Sequence, residues 1–212
     1  IARDQGWRVA AADADAAAPG ASLVDEFLHV DLKDRDALVD AARSLRDSGG
    51  LDGVFTAGTD FSANVAWIAE RLGLPGIPYE VALDASHKGR MRARFEAAGV
   101  PSPRFVTVGP DEDPTLAAER VGFPLVVKPV DNMGARGCRL VAAAREFGPA
   151  IAEALRSSRS GRAIVEEYVD GPEFSLDAIV HSGRIELCGV ADRHIAFAPF
   201  FGALIEVDLQ PL

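Results

Sequence analysis

Apolar residues recur along this chain in two rhythms: short β-branched runs, and longer stretches with apolar residues three and four positions apart. The first is the rhythm of buried strands, the second that of helices with one face on a core. Trp7-Arg8-Val9-Ala10-Ala11-Ala12 predicts a strand, preceded by a helical tail over residues 1–6 that Gly6 stops. Phe27-Leu28-His29-Val30 predicts a second strand. A helix follows from Asp34 as N-cap, with Leu38, Ala41, Ala42 and Leu45 on one stripe and Gly49-Gly50 as its stop. Residues 51–55 read as a third strand. Gly58-Thr59-Asp60 then turns the chain into a helix, with Thr59 or Asp60 as N-cap. Val65, Ile68, Ala69 and Leu72 share its face, Gly73 caps it and Pro75 blocks continuation. Strands alternating with helices over residues 1–78 predict a doubly wound parallel sheet. Such sheets bind ligands at the carboxyl ends of their strands, where Asp13, Asp15 and Gly58-Thr59-Asp60 fall; capping and solvation compete with that role.

Beyond Pro78 the pattern changes. Ser86 is placed to cap a helix over residues 87–98, with Met91, Phe95 and Ala98 inward and Gly99 at its end. Val100-Pro101-Ser102-Pro103 is an extended connector. Lys88 opens that helix, where the dipole disfavours a cation, which suggests an anionic ligand beside it. Next come a strand over residues 104–108, a short helix ended by Gly122, strands over 125–129 and 138–142, and a helix over 145–158 carrying Phe147, Ile151 and Leu155. A strand over residues 163–169 completes this α+β unit. From residue 173 to 180 Phe174, Leu176, Ala178 and Val180 alternate with Glu173, Ser175 and Asp177, as in a half-buried strand. His181-Ser182-Gly183 turns the chain into a return strand over residues 184–191, which Asp192-Arg193-His194 ends.

The stretch most suggestive of chemistry is Leu125-Val126-Val127-Lys128-Pro129-Val130-Asp131-Asn132-Met133-Gly134-Ala135-Arg136-Gly137-Cys138. It reads as strand, flexible glycine loop, strand. Glycines let main-chain N–H groups turn toward an anion, and a lysine at the loop's base adds a point charge for phosphate. An ordinary hairpin with a solvated lysine has the same pattern. Neither GxxxxGK[ST] nor a GxGxxG between strand and helix is present. A second stretch, Ala163-Ile164-Val165-Glu166-Glu167-Tyr168-Val169-Asp170-Gly171-Pro172-Glu173-Phe174-Ser175-Leu176-Asp177, joins the first.

Together these two stretches resemble the ATP-grasp superfamily, whose lid carries "vvKP…GxxG" and whose hinge reads "vEEyi-x-G-x-E-f-s-v-d". Ala98-Gly99-Val100-Pro101-Ser102-Pro103, after the basic Lys88, is similar to the family's "aGvPvP". The resemblance covers about residues 88–191, and the segment before it fits the domain that precedes the grasp. It implies an α/β chain: a truncated Rossmann-like domain over residues 1–85, a connecting helix and linker over 86–102, a lid subdomain over 103–167, and the start of an antiparallel C-terminal sheet over 168–212.

The resemblance also implies roles. Lys128 and Lys88 would meet the ATP phosphates from two sides, with Met133, Gly134, Ala135 and Gly137 laying N–H groups over them. Glu166, with Glu167 beside it, would accept from the adenine amino group, and Tyr168 or Val169 would offer main-chain atoms to the ring edge. Glu173 would accept from the ribose hydroxyls, and Arg136 and Arg193 are candidates for an acyl phosphate. The family holds Mg²⁺ with a late segment like Glu-x-Asn-x-Arg. Asn64 and Asn132 are the only asparagines in this chain, so the Mg²⁺ ligands are expected downstream of Leu212 and this piece is expected to be inactive alone. The parent activity implied is an ATP-dependent carboxylate–amine ligase acting on a small carboxylate and an amine. A non-catalytic nucleotide-binding module and a dinucleotide-binding oxidoreductase are the alternatives.

Composition narrows the partners. The 212 residues are 48% hydrophobic and 25% charged, as in a globular protein. A net charge of -10 argues against a nucleic-acid backbone as partner. No apolar run nears the roughly 18 residues of a membrane span. A cytoplasmic protein is expected, with a homodimer among the assemblies left open. Cys138 and Cys188 make no disulfide framework and read as reduced core thiols, and His29, His87, His181 and His194 show no ligand spacing. The chain opens at Ile1 within a predicted helix, so a preceding segment is expected.

Overall fold

The computed structural model describes residues 2–196, 200 and 202–205. The chain forms two compact units, Ile1–Ser86 and His87–Leu212.

In the first unit a 3-10 turn, Arg3–Gln5, precedes the parallel strands β1 (Ala10–Asp13) and β2 (Glu26–His29), and a second, Ala21–Leu23, lies between them. Helices α1 (Arg35–Gly49), α2 (Ser62–Leu72) and α3 (Tyr79–Ser86) follow. Asp34 caps α1 through its carboxylate, which accepts from the Ala37 N–H at 3.0 Å. Leu38, Val39 and Ala42 of α1 pack on Ile68 and Leu72 of α2, so Val39 takes the inward place the stripe gave to Ala41. Gly73 closes α2 at φ 66°, the left-handed conformation glycine adopts without a Cβ clash.

Three expectations fail in or beside this unit, and one helix was not foreseen. Residues 51–55 form no ladder, although Leu51 and Val54 do turn toward the core. Apolar patterning reports burial, whereas strand pairing also needs a neighbour at hydrogen-bonding distance. The N-cap position of α2 belongs to Phe61, not Thr59 or Asp60; the Thr59 hydroxyl bonds the Phe61 N–H at 3.3 Å and the Thr56 hydroxyl at 2.5 Å. Helix α3 had no periodic signal. It is held by tertiary contacts: Glu70 accepts from the Tyr79 N–H at 3.0 Å, Arg35 donates to the Tyr79 hydroxyl, and the Trp67 and Tyr79 rings meet edge-on at 4.8 Å. Ser86 ends α3 and donates to the Ala82 carbonyl at 2.7 Å, so capping of the next helix falls to His87, whose Nδ1 accepts from the Arg90 N–H at 3.2 Å.

The second unit begins with α4 (Lys88–Ala97). Then come β3 (Phe105–Val108), α5 (Pro114–Val121), β4 (Leu125–Pro129), β5 (Arg139–Val141), α6 (Ala144–Ser157) and β6 (Ala163–Glu167). The strands make one antiparallel sheet in the order β3-β6-β4-β5. Side chains alternate between its faces. On one face Val108, Leu125, Val127, Val141, Ala163 and Val165 pack against Ala117, Ala118 and Val121 of α5 and Phe147, Ala150, Ile151 and Ala154 of α6. Each large side chain buried there contributes roughly 1.5–3 kcal/mol.

The other face carries the polar chemistry. Lys128 and Thr107 both stand opposite Ile164 in the register, and Glu166 lies two residues further along β6, so all four side chains share that face. Helix α4 packs on it at Gly89. A Cβ there would stand 2.6 Å from Thr107 Cγ2, so only glycine permits this approach.

A second antiparallel sheet joins β7 (Glu173–His181), β8 (Arg184–Ala196) and β9 (Gly202–Ile205). Ser182 at φ 50° and Gly183 at φ 75° form the tight turn between β7 and β8. β8 runs beyond the expected end at residue 191, because its far half pairs with β9. The β7 face expected to be half-buried is open: Phe174, Leu176 and Val180 are 57%, 64% and 68% exposed. Cys188 is exposed too, so only Cys138 is partly buried, and both thiols are free. The Phe- and Pro-containing loop expected near the end falls mostly outside the described residues.

Candidate functional site

The connection from β4 to β5 folds over a pocket of about 200 Å³ lined by Lys88, Lys128, Pro129, Asn132, Met133, Gly134, Ala135, Arg136 and Cys138. Both ends of this loop are anchored. Asp131 accepts from the Ser158 hydroxyl at 2.8 Å and from the N–H groups of Arg159 and Ser160 at 3.0 and 2.8 Å. Burial alone would raise its carboxyl; hydrogen bonds from Ser160 and Ser158 outweigh this and hold it below the ordinary range. The Asn132 amide donates to the Ser157 carbonyl at 2.8 Å. At the far end Gly137 has φ 70°, and a Cβ on it would stand 2.8 Å from that of Ser157. Between these anchors Gly134 and Ala135 take φ 66° and 56°, and Met133 is 56% exposed. A fixed base with an open, left-handed tip suits a flap that closes over an anion.

Two lysines from different elements reach the pocket. Lys88, the first residue of α4, is fixed through its own N–H to the Val130 carbonyl at 2.8 Å, and its Nζ donates to the Asn132 carbonyl at 2.5 Å. Burial, then the charge of Lys128, pull its pKa below the ordinary lysine value. An arriving anion would relieve both effects. Lys128 on β4 donates through Nζ to Glu166 Oε2 at 2.5 Å. The other oxygen of Glu166 accepts from Arg92 Nε at 2.8 Å. Glu166 is 3% exposed. Burial pushes its carboxyl up, and the Arg92 hydrogen bond and the Lys128 charge bring it below its ordinary value.

A glycine loop with one lysine from an antiparallel sheet and one from a helix fits more than one phosphate-binding fold. The sequence comparison decides between them. A model of the ATP-grasp domain matches residues 121–205, and a model of the ATP-grasp N-terminal domain matches residues 2–76. The chain belongs to the ATP-grasp superfamily. It is 30% identical over 124 residues to a D-alanine–D-alanine ligase of Stutzerimonas stutzeri, a match covering 56% of this chain and 38% of the ligase. Its fold matches the crystal structure of an L-amino acid ligase from Bacillus licheniformis with a TM-score of 0.78 at 22% identity, over 99% of this chain and 51% of that one. It matches an N5-carboxyaminoimidazole ribonucleotide synthetase solved as an ADP complex with a TM-score of 0.76 at 18% identity, over 99% and 54% of the two chains. At those identities the structural likeness is one of fold. This ATP-grasp chain spans about a third to a half of the length of these relatives.

The expected site residues divide. Lys88, Lys128, Met133, Gly134 and Ala135 meet at the pocket, and Gly137 closes the loop behind it. Glu166 touches the site through Lys128 but is buried away from solvent. Its neighbour Glu167 points to the opposite sheet face, where it accepts from Arg104 Nε at 3.1 Å. The Tyr168 N–H donates to the Pro124 carbonyl at 3.3 Å, which leaves its own carbonyl as the atom it can offer a ring edge. Val169 is 67% exposed. Glu173 starts β7 opposite Arg193, whose Nη1 lies 3.6 Å away. Arg92, which donates to Glu166 beside Lys128, is the residue at this site that sequence reading missed. A signal existed: it stands one helical turn after Lys88, on the same side of α4. Among the described residues no group of three or more His, Cys, Asp or Glu side chains is placed to hold a metal, and no helix is long and apolar enough to cross a membrane.

Proposed function

We propose that this chain is the ATP-binding portion of an ATP-grasp ligase that activates a small carboxylate as an acyl phosphate for attack by an amine. The observation carrying this reading is the convergence of Lys88 and Lys128 on one pocket beneath the glycine loop. A triphosphate needs cations placed apart and main-chain donors that can close over it; this pocket has both. Lys128 holds the α- and β-phosphates from the sheet side and Lys88 from the helix side. The N–H groups of residues 133–137 cover them. The Tyr168 carbonyl and the main chain of Val169 meet the adenine edge, and Glu173 accepts from the ribose hydroxyls. Glu166, with both oxygens engaged at 3% exposure, has the role of holding Lys128 in place of the adenine contact expected from sequence.

In the reaction a carboxylate oxygen attacks the γ-phosphorus of ATP and ADP leaves. The amine nitrogen then attacks the acyl carbon, inorganic phosphate leaves and the nitrogen gives up a proton. The lysines offset charge that develops on the transferred phosphoryl group, and the closed loop keeps water from the acyl phosphate. Mg²⁺ in such a site neutralises phosphate charge, and the described residues supply no ligand set for it. The net charge of -10 supports a small-molecule partner over a nucleic acid. Calorimetry with ATP tests the reading. Lys128→Ala is expected to weaken binding by roughly 1.5–3 kcal/mol, the scale of a charge-assisted hydrogen bond. Equal affinity in the variant would remove Lys128 from the site.

A further inference from the structure

Arg92 lies under the pocket rather than in it. Its side chain is 18% exposed, that of Glu166 4%, and that of Lys128 20%. The three come from α4, β6 and β4 and meet through one carboxylate, Oε1 to Arg92 at 2.8 Å and Oε2 to Lys128 at 2.5 Å. Two cations held against one carboxylate, with Lys88 nearby in the same pocket, make a poor arrangement for stability alone. They make a sensible one where a polyanion completes the charge balance.

The geometry points to Arg92 as a positioning residue that keeps Lys128 available to nucleotide phosphate. This inference rests on the proposed ATP site. An ammonium has three N–H donors, and a free carboxylate can turn both oxygens toward it. Arg92 takes Oε1, so Glu166 offers Lys128 only Oε2. One N–H of Lys128 is then engaged in the sheet and two remain for phosphate. Without Arg92 the carboxylate turns both oxygens to Lys128, drawing the ammonium down from the pocket. The placement of Arg92 depends on the close seat of α4 on β3 at Gly89, since the same helix carries Arg92 three residues after Gly89.

The test is a double-mutant cycle read by ATP calorimetry on the wild-type protein, Arg92→Met, Lys128→Met and the pair. Methionine keeps the aliphatic stem of Arg92, and Arg92→Gln is the second variant if that one does not fold, with the same expected values. Arg92→Met is expected to weaken ATP binding about tenfold, the scale of one charge-assisted hydrogen bond. In the Lys128→Met background the same change is expected to cost less than about twofold, because its effect passes through Lys128. A tenfold loss in both backgrounds overturns the inference, since Arg92 would then act on the ligand or the fold directly. Unchanged affinity in Arg92→Met overturns it as well and leaves the ATP site standing. No ATP binding by the wild-type protein would instead overturn the proposed site itself.

Discussion

Replacing Glu166 by alanine should destabilise the second unit by about 3 kcal/mol at neutral pH. Glu166 accepts from Arg92 at 2.8 Å and from Lys128 at 2.5 Å, and it is itself 3% exposed. Breaking a buried ion pair costs about 3–5 kcal/mol, because the remaining charge is left desolvated. Here the side chains left behind are 18% and 20% exposed, so both cations regain some water and the lower end applies. Hydrogen exchange of the Val127 and Val165 amides, in the sheet's two central strands, is the assay. A loss of about 3 kcal/mol speeds exchange limited by unfolding roughly 150-fold. The pH dependence gives an independent check. The folded-state pKa of Glu166 is depressed, so its stabilisation is complete above its unfolded value and is lost as pH falls through the folded one. The difference between wild type and variant should therefore begin to shrink below about pH 4.5, where the unfolded chain takes up the proton first, and fall further as pH passes the lower folded-state value. A difference under about 1 kcal/mol at pH 7, or one that persists undiminished into acid, would refute the argument. Replacing Arg92, Lys128 and Glu166 together by methionine or leucine should recover most of the stability while ATP binding stays weakened by roughly 1.5–3 kcal/mol, as with loss of Lys128 alone.

Other expectations follow from the packing and from the titrating groups. Gly89→Ala should destabilise by about 1–2 kcal/mol despite alanine's better helix propensity, since its Cβ would stand 2.6 Å from Thr107 Cγ2; adding Thr107→Ser removes that methyl and should restore most of the loss in urea unfolding. Glu173→Gln should weaken ATP about 1 kcal/mol more than it weakens the 2′,3′-dideoxy analogue, and equal losses in calorimetry would show that Glu173 does not hold ribose. His87 caps α4 with a ring nitrogen that must stay unprotonated, and burial lowers its pKa. The unfolded chain therefore takes up the proton first, and stability should fall as pH drops below about 6.5; His87→Asn, which also caps, should flatten that limb in thermal unfolding measured from pH 8 to 5.

Local sequence determined much of this molecule. The run Leu125-Val126-Val127-Lys128-Pro129 contains a strand whose bounds match the expected ones, because its apolar residues suit burial on both faces. Asp34, Gly73 and Gly122 set helix ends through their own side chain or backbone freedom, independent of distant residues. Lys128 and the glycines of the loop were visible as a phosphate-binding pattern for the same reason: the parts lie within one short stretch. Tertiary structure decided what depends on residues far apart. Helix α3 has its place from Glu70, Arg35 and Trp67. Leu51 and Val54 are apolar enough for a strand, yet the backbone there finds no ladder among the described residues. In sequence Glu166 reads as an acid that would meet the adenine amino group. It becomes a buried strut because the antiparallel register sets it diagonally beside Lys128 and Gly89 lets α4 bring Arg92 within 2.8 Å. Sequence periodicity specifies which face a side chain takes; only the assembled sheet and helix specify what that face meets.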